Sequence, residues 1–148
     1  MKRRETSVTQ LEALKAIAKR DGGKLRPQAV VDAARPEDSP LHGAFCWDDT
    51  EAARLYRLDQ AQRLIRRYTI AVESDGEAVE VPMFINLSSD RSSGKEENPY
   101  RLTEDVMKSE DLLAVAEKDA LEQLRGIRNR YQNIKRLGDV WAAIDAHK

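Results

Sequence analysis

A chain of 148 residues is the length of one ordinary domain, or of a small domain with an appended oligomerisation element, and it is long enough to hold a core. Charged residues at 34% against aromatics at 5% point to a core of Leu, Ile, Val and Ala, which suits a helix-rich protein. The net charge of -1 excludes a uniformly basic nucleic-acid binder, and the single cysteine, Cys46, excludes an internal disulfide or a cysteine-built zinc site. No apolar run approaches the roughly 20 residues needed to cross a bilayer, so a soluble, unexported protein of a reducing cytosol is expected.

The charge is unevenly spread. Residues 1–35 hold nine basic against four acidic side chains, residues 51–68 five against two, and residues 69–105 three against nine. A basic amino-terminal half therefore precedes an acidic middle.

In chain order, Ser7 or Thr9 is placed to cap a first helix in which Leu11, Leu14, Ile17 and Ala18 recur at helical spacing, and Gly22-Gly23 ends it. Its other side carries Lys15, Lys19 and Arg20, facing either water or phosphate. Lys24-Leu25-Arg26 forms a short extended link. Pro27 then suits the first position of a second helix that is dense in Ala29, Val30, Val31, Ala33 and Ala34, and Arg35-Pro36 stops it. Pro36 to Pro40 is turn chemistry.

Ser39 to Tyr68 holds the third helix. Asp48 and Glu51 have the spacing of a capping box, with Phe45 and Trp47 pinning the helix start against the core. His42 packs or hydrogen-bonds in the turn ahead of the helix, and Cys46 reads as a small buried hydrophobe between the two aromatics. The helix carries Arg54, Arg57, Arg63, Arg66 and Arg67 against Glu51 and Asp59. At about 100° per residue, Arg54 and Arg57 fall on adjacent turns of one side, and Arg63 and Arg67 make another such pair. Such a helix offers phosphate a surface, or it simply turns a charged face to water.

After Tyr68 the period changes to that of strands. Thr69 to Glu73 and the alternation of Val79, Val81, Met83, Ile85 and Leu87 flank Asp75-Gly76, a strong hairpin signal, and Pro82 belongs at an edge or outside the ladder. Ser88 to Asn98 is polar throughout, an unstructured connection or an arm carrying Arg91 and Lys95, and Pro99 to Leu102 suits a short third strand. Ser109 opens a long helix with Leu113, Ala120, Leu124, Ile127, Tyr131 and Ile134 on one seam, interrupted by Glu117. A coiled coil between chains or a hairpin within one explains that seam. Gly138-Asp139 is expected to break the helix and restart it, after which Val140, Trp141 and Ile144 give a short apolar face with Trp141 as a packing anchor.

Nothing in the chain reads as an enzyme. His42 and His147 are far apart, Cys46 has no histidine at a recognisable spacing, and Gly22-Gly23 lacks the remainder of a phosphate loop. Asp48-Asp49 is explained by capping. The expectation is no catalytic residue, no metal and no cofactor.

Two resemblances add to this reading. The order helix, link, helix, helix and hairpin from Thr9 to Leu87 resembles a winged helix-turn-helix domain. That resemblance implies that Arg54, Arg57, Arg63 and Arg67 contact a duplex, with Lys15, Lys19 and Arg20 on the backbone beside them. The hairpin departs from it: Glu73, Asp75, Glu77 and Glu80 repel phosphate, leaving Arg91 and Lys95 for any wing contact. Separately, Ser39-Pro40-Leu41-His42, Phe45, Trp47-Asp48-Asp49, Ala52-Ala53, Tyr56-Arg57, Gln60-Ala61 and Leu64-Ile65-Arg66 resemble uncharacterised proteins of bacteriophages and prophages. Those proteins bring no activity to carry across.

The expectation is thus an α+β, mainly helical protein, with a winged-helix-like domain over residues 1–102 and a helical oligomerisation element, long helix or hairpin, over residues 103–148. Its expected role is a phage-type DNA-binding protein of the bacterial cytoplasm, dimerising through the carboxy-terminal seam. The alternative is an interaction or assembly factor whose partner is a phage or host protein.

Overall fold

The computed structural model describes residues 2–47, 50–91 and 98–147, with residues 2–7 described by backbone alone. The protein is α+β and mainly helical. Its order is α1 (Lys2–Arg20), β1 (Lys24–Leu25), α2 (Pro27–Ala34), α3 (Glu51–Arg66), β2 (Thr69–Ser74), β3 (Glu77–Pro82), β4 (Phe84–Ile85), β5 (Tyr100–Leu102), α4 (Thr103–Lys108), α5 (Glu110–Tyr131) and α6 (Gly138–Ala146).

Helix α1 begins at Lys2, ahead of the cap expected at Ser7 or Thr9, and it stops where glycine permits a left-handed turn. Gly22 and Gly23 take φ of 61° and 89°, and the Gly23 amide donates to the Ala18 carbonyl at 2.8 Å. Pro27 stands in the first turn of α2, where no amide donor is needed.

The cap of α3 corrects the sequence reading. Thr50 is the capping residue, with extended backbone and its hydroxyl accepting from the Ala53 amide at 3.2 Å, while Asp48 lies outside the described residues. Glu51 accepts from Arg54, and the contact expected between Glu51 and the Asp48 amide lies outside the described residues. The core forms where the three helices meet: Leu14, Ile17 and Ala18 of α1, Val30, Val31 and Ala34 of α2, and Leu58, Ala61, Leu64 and Ile65 of α3. Leu41 and Phe45 fill it from the α2–α3 link, and Met83, Phe84 and Tyr100 close it from below. Burying each such large apolar side chain contributes about 1.5–3 kcal/mol relative to leaving it in water.

The hairpin β2–β3 is in register from Thr69↔Pro82 to Ser74↔Glu77, so Pro82 falls at the terminal pair. Its two-residue turn has Asp75 at φ 52° and Gly76 at φ 82°, the paired positive values that match strand twist. The partner of β1 was not legible in the sequence. It is β5, on the far side of the polar loop, which lies between β1 and β4 with pairs Lys24↔Arg101, Leu25↔Tyr100, Phe84↔Leu102 and Ile85↔Arg101.

The first part of the polar loop is held in place. Residues Ser88–Asp90 form a 3-10 turn whose Ser88 amide donates to Asp119 of α5 at 2.8 Å. Asp90, with its side chain only 5% exposed, accepts from Arg101 Nε and Nη2 at 2.5 and 2.9 Å and lies 3.8 Å from Lys24 Nζ. One carboxylate thus ties two neighbouring strands.

Helix α4 belongs with the sheet. Val106 is fully buried, and Thr103 bonds through its amide to the Met83 carbonyl and through its hydroxyl to the Pro82 carbonyl. Ser109 caps α5, accepting from the Leu112 amide at 3.4 Å. This helix ends at Tyr131 rather than near Gly138, so Ile134 lies in the turn and not on the helix. Its extended backbone (φ -82°, ψ 94°) starts the 3-10 turn Lys135–Leu137. Gly138 opens α6, the restart expected there, although the break before it comes earlier, after Tyr131. The two helices form a hairpin: Ile144 is buried, Arg128 pairs with Asp145 at 2.8 Å, and Arg125 donates to the His147 carbonyl at 3.1 Å. Trp141 is half-buried on α6, with its indole N–H enclosed and lacking a hydrogen-bond partner.

Candidate functional site

Helix α3 presents no single row of arginines. Nine residues separate Arg54 from Arg63, which at about 100° per residue sets them on opposite sides of the helix. Arg54 bonds to Glu51 at 3.0–3.2 Å, and this contact holds the Glu51 carboxyl below the usual carboxylate range. Arg63 bonds to Asp59 at 3.0 Å. Arg57 is buried, 6% exposed, with Nη1 on the Cys46 carbonyl at 3.3 Å and its guanidinium 5.5 Å from the Trp47 ring centroid. Arg66 reaches the Tyr100 hydroxyl, and Arg67 is exposed at the helix end.

Trp47 organises the stretch before α3. Its indole N–H donates to the His42 carbonyl at 3.1 Å, His42 stacks on it at 5.1 Å between ring centroids, and Arg35 and Arg57 both lie within 5.7 Å of its ring. His42 Nδ1 in turn is 3.0 Å from the Ala34 carbonyl, which fastens the link to the end of α2. Here His42 and Arg57 are structural. Cys46 is exposed rather than buried, because its amide bonds to Gln60 while Phe45 and Trp47 turn inward without it.

The other expected cations do not assemble around α3. Lys15 sits 4.0 Å from Glu12, and Lys19 and Arg20 are exposed on the last turn of α1. Arg91 donates to Asn86 at 2.8 Å, Lys95 lies outside the described residues, and the β2–β3 hairpin turns Glu73, Asp75, Glu77 and Glu80 to solvent. Among the described residues no group of three or more His, Cys, Asp or Glu side chains is placed to hold a metal ion, and no helix is long and apolar enough to cross a membrane.

The carboxy-terminal hairpin is different in character. Helix α5 has no buried residue over its 22 positions, whereas α3 has six over 16. Of the eleven exposed large hydrophobic side chains among the described residues, six fall between positions 124 and 140: Leu124, Ile127, Tyr131, Ile134, Leu137 and Val140. Each is 37–49% exposed. Leu124, Ile127 and Tyr131 lie within about 60° of one another around α5, so they make one stripe. Towards the helix start the stripe continues to Ala120, Ala116 and Leu113, and there it meets a groove of about 510 Å³. Phe84, Ile85 and Leu87 form its wall on the sheet side, and Ala116, Ala120 and Gln123 form the α5 side.

Of the seam expected for oligomerisation, the structure sets Ala120, Leu124, Ile127 and Tyr131 in line, leaves Leu113 half-buried nearer the body, and moves Ile134 to the turn. The groove wall escaped the sequence reading because Phe84, Ile85 and Leu87 lie about 30 residues from the helix they face. A short alternating run before a polar loop carries no sign of which helix will cover it. The chain matches no protein-family model, no curated protein and no solved structure.

Proposed function

We propose that this protein is a non-enzymatic interaction or assembly factor whose working surface is the apolar stripe of the α5–α6 hairpin. The observation that carries the reading is the crowding of six exposed large hydrophobics into residues 124–140, on a hairpin whose longer helix has no fully buried residue. Water penalises such a surface unless a partner covers it, and contiguous apolar patches of several hundred Å² mark association sites. The likeness to bacteriophage and prophage proteins supports a phage setting, either in assembly or in occupying a host protein.

Duplex DNA is the rival ligand, favoured by the exposed cations Lys19, Arg20 and Arg67. Two findings count against it: Arg54 and Arg63 are each bonded to a carboxylate of their own helix, and Arg57 is enclosed. A photo-reactive residue introduced at Ile127, and separately at Lys19 and Arg63, tests the two in cells. Protein adducts at Ile127 with no nucleic-acid adducts at Lys19 or Arg63 are expected. The reverse pattern, together with duplex binding in vitro that weakens steeply with salt, replaces the assembly reading with DNA binding.

A further inference from the structure

The stripe on α5 is graded along its length in two ways. Side-chain size rises from Ala116 and Ala120 near the start to Leu124, Ile127 and Tyr131 near the end. Charge changes sign over the same distance. Residues 110–122 hold five acids (Glu110, Asp111, Glu117, Asp119, Glu122) against Lys118, and residues 123–136 hold five bases (Arg125, Arg128, Arg130, Lys135, Arg136) and no acid.

Resting on the reading of this hairpin as an interaction surface, we propose that the partner is a second copy of this chain. The two α5 helices pair antiparallel about a two-fold axis between Leu124 and Ile127, and Tyr131 of each copy lies over the Ala116 and Ala120 groove of the other.

Both gradients select this arrangement. In an antiparallel pair centred there, Leu124 meets the partner's Ile127 and Tyr131 meets the partner's Ala120. A large ring over a small side chain fills the groove beside Phe84 and Ile85, and the acidic start of each α5 runs past the basic end of the other. A parallel pair does the opposite. It sets Ala120 against Ala120, Tyr131 against Tyr131 and Glu117 against Glu117, leaving a void, a clash and a repulsion. An antiparallel contact is also self-complementary, so it closes at two copies and does not propagate. The area fits a concentration-dependent dimer: Leu124, Ile127 and Tyr131, each 41–45% exposed, form its centre with on the order of 250 Å², and the groove rim adds to it, short of the roughly 800 Å² that each partner gives to a standard interface.

The test is the mass of the full-length protein by sedimentation equilibrium over micromolar to millimolar concentration. Twice 16.8 kDa is expected for the wild type, and once that mass for the double variant Leu124→Asp, Ile127→Asp, with an unchanged far-ultraviolet spectrum because both residues are already exposed. Orientation is read by disulfide trapping in a Cys46→Ser background. Ala120→Cys mixed with Tyr131→Cys is expected to cross-link, and Ala120→Cys alone is not, since the two positions are then separated by about 16 Å along the helix pair. A monomer at millimolar concentration, a dimer indifferent to the aspartates, or ready cross-linking of Ala120→Cys with itself overturns the proposal. A monomer that still forms foreign-protein adducts at Ile127 leaves the interaction reading in place and removes only self-pairing.

Discussion

Asp90 shows how much a single side chain can carry in a body this small. The Arg101 hydrogen bonds hold its carboxyl below the usual range for an aspartate, against the opposing effect of burial, and the charges of Arg101, Lys24 and Arg26 add to them. Because the folded value is depressed, the resulting stability is present above the unfolded value near 4 and is lost as pH falls through the folded value. Urea midpoints should therefore fall on acidification below about pH 4, and Asp90→Asn should flatten that fall. At neutral pH the same variant strips a largely buried Arg101 of its carboxylate and is expected to cost about 2–4 kcal/mol in urea unfolding. Arg57 invites a parallel test. If its place against Trp47 and the Cys46 carbonyl is structural, Arg57→Ala lowers stability by about 2–3 kcal/mol, whereas Arg63→Ala, on an exposed side chain, changes it by less than about 0.5 kcal/mol.

Among the elements, α3 and the hairpin owe their form to short local signals. Thr50 is the capping residue of α3, so Thr50→Ala is expected to lower the urea-unfolding free energy by about 1 kcal/mol, with helix content near native. Asp75-Gly76 announced its turn and the turn formed as expected, since both positions need positive φ and these residue types tolerate it. Pro27, Gly22-Gly23 and Ser109 likewise mark helix ends that the structure keeps. What the sequence concealed were the long-range choices. That Lys24-Leu25 pairs with Tyr100-Arg101 depends on closure across more than 70 residues, for which no local pattern exists. The end of α5 was misread for a related reason: Ile134 keeps the seam's spacing, but at Ile134 the backbone turns extended and the seam leaves the helix. The exposure of Cys46 was hidden too, because the orientation of a residue in an irregular link follows from its hydrogen bonds, here to Gln60, and not from its neighbours in sequence.

The whole molecule joins a body with a continuous buried core to a hairpin that has almost no fully buried residue. In the body, Leu14, Leu25, Val30 and Ile65 are fully buried, and all four come from different elements. In the hairpin, Ile144 is the one buried residue of α6, and α5 has none. This contrast predicts separate behaviour under perturbation. Leu14→Ala or Ile65→Ala should lower the stability of the body by about 2–5 kcal/mol without altering the mass of the assembled protein at concentrations where it stays folded. Substituting Leu124 and Ile127 by Asp should change the mass and leave the body's unfolding intact once dilution has removed the contribution of association. The arginine-rich helix is a core helix in which Arg54 and Arg63 bond to carboxylates of the same helix, Arg57 and Arg66 reach groups outside it, and Arg67 is exposed.

The order of strands in the three-stranded sheet sets a condition on biosynthesis. Its middle member, β5, emerges last, after the polar loop, so β1 and β4 have nothing to hold between them until residue 102 has left the ribosome. A nascent chain that has emerged from the ribosome only as far as residue 98 therefore leaves β1 and β4 as two orphan edges, the state in which unwanted pairing is easiest. Release of the next few residues seals both edges at once.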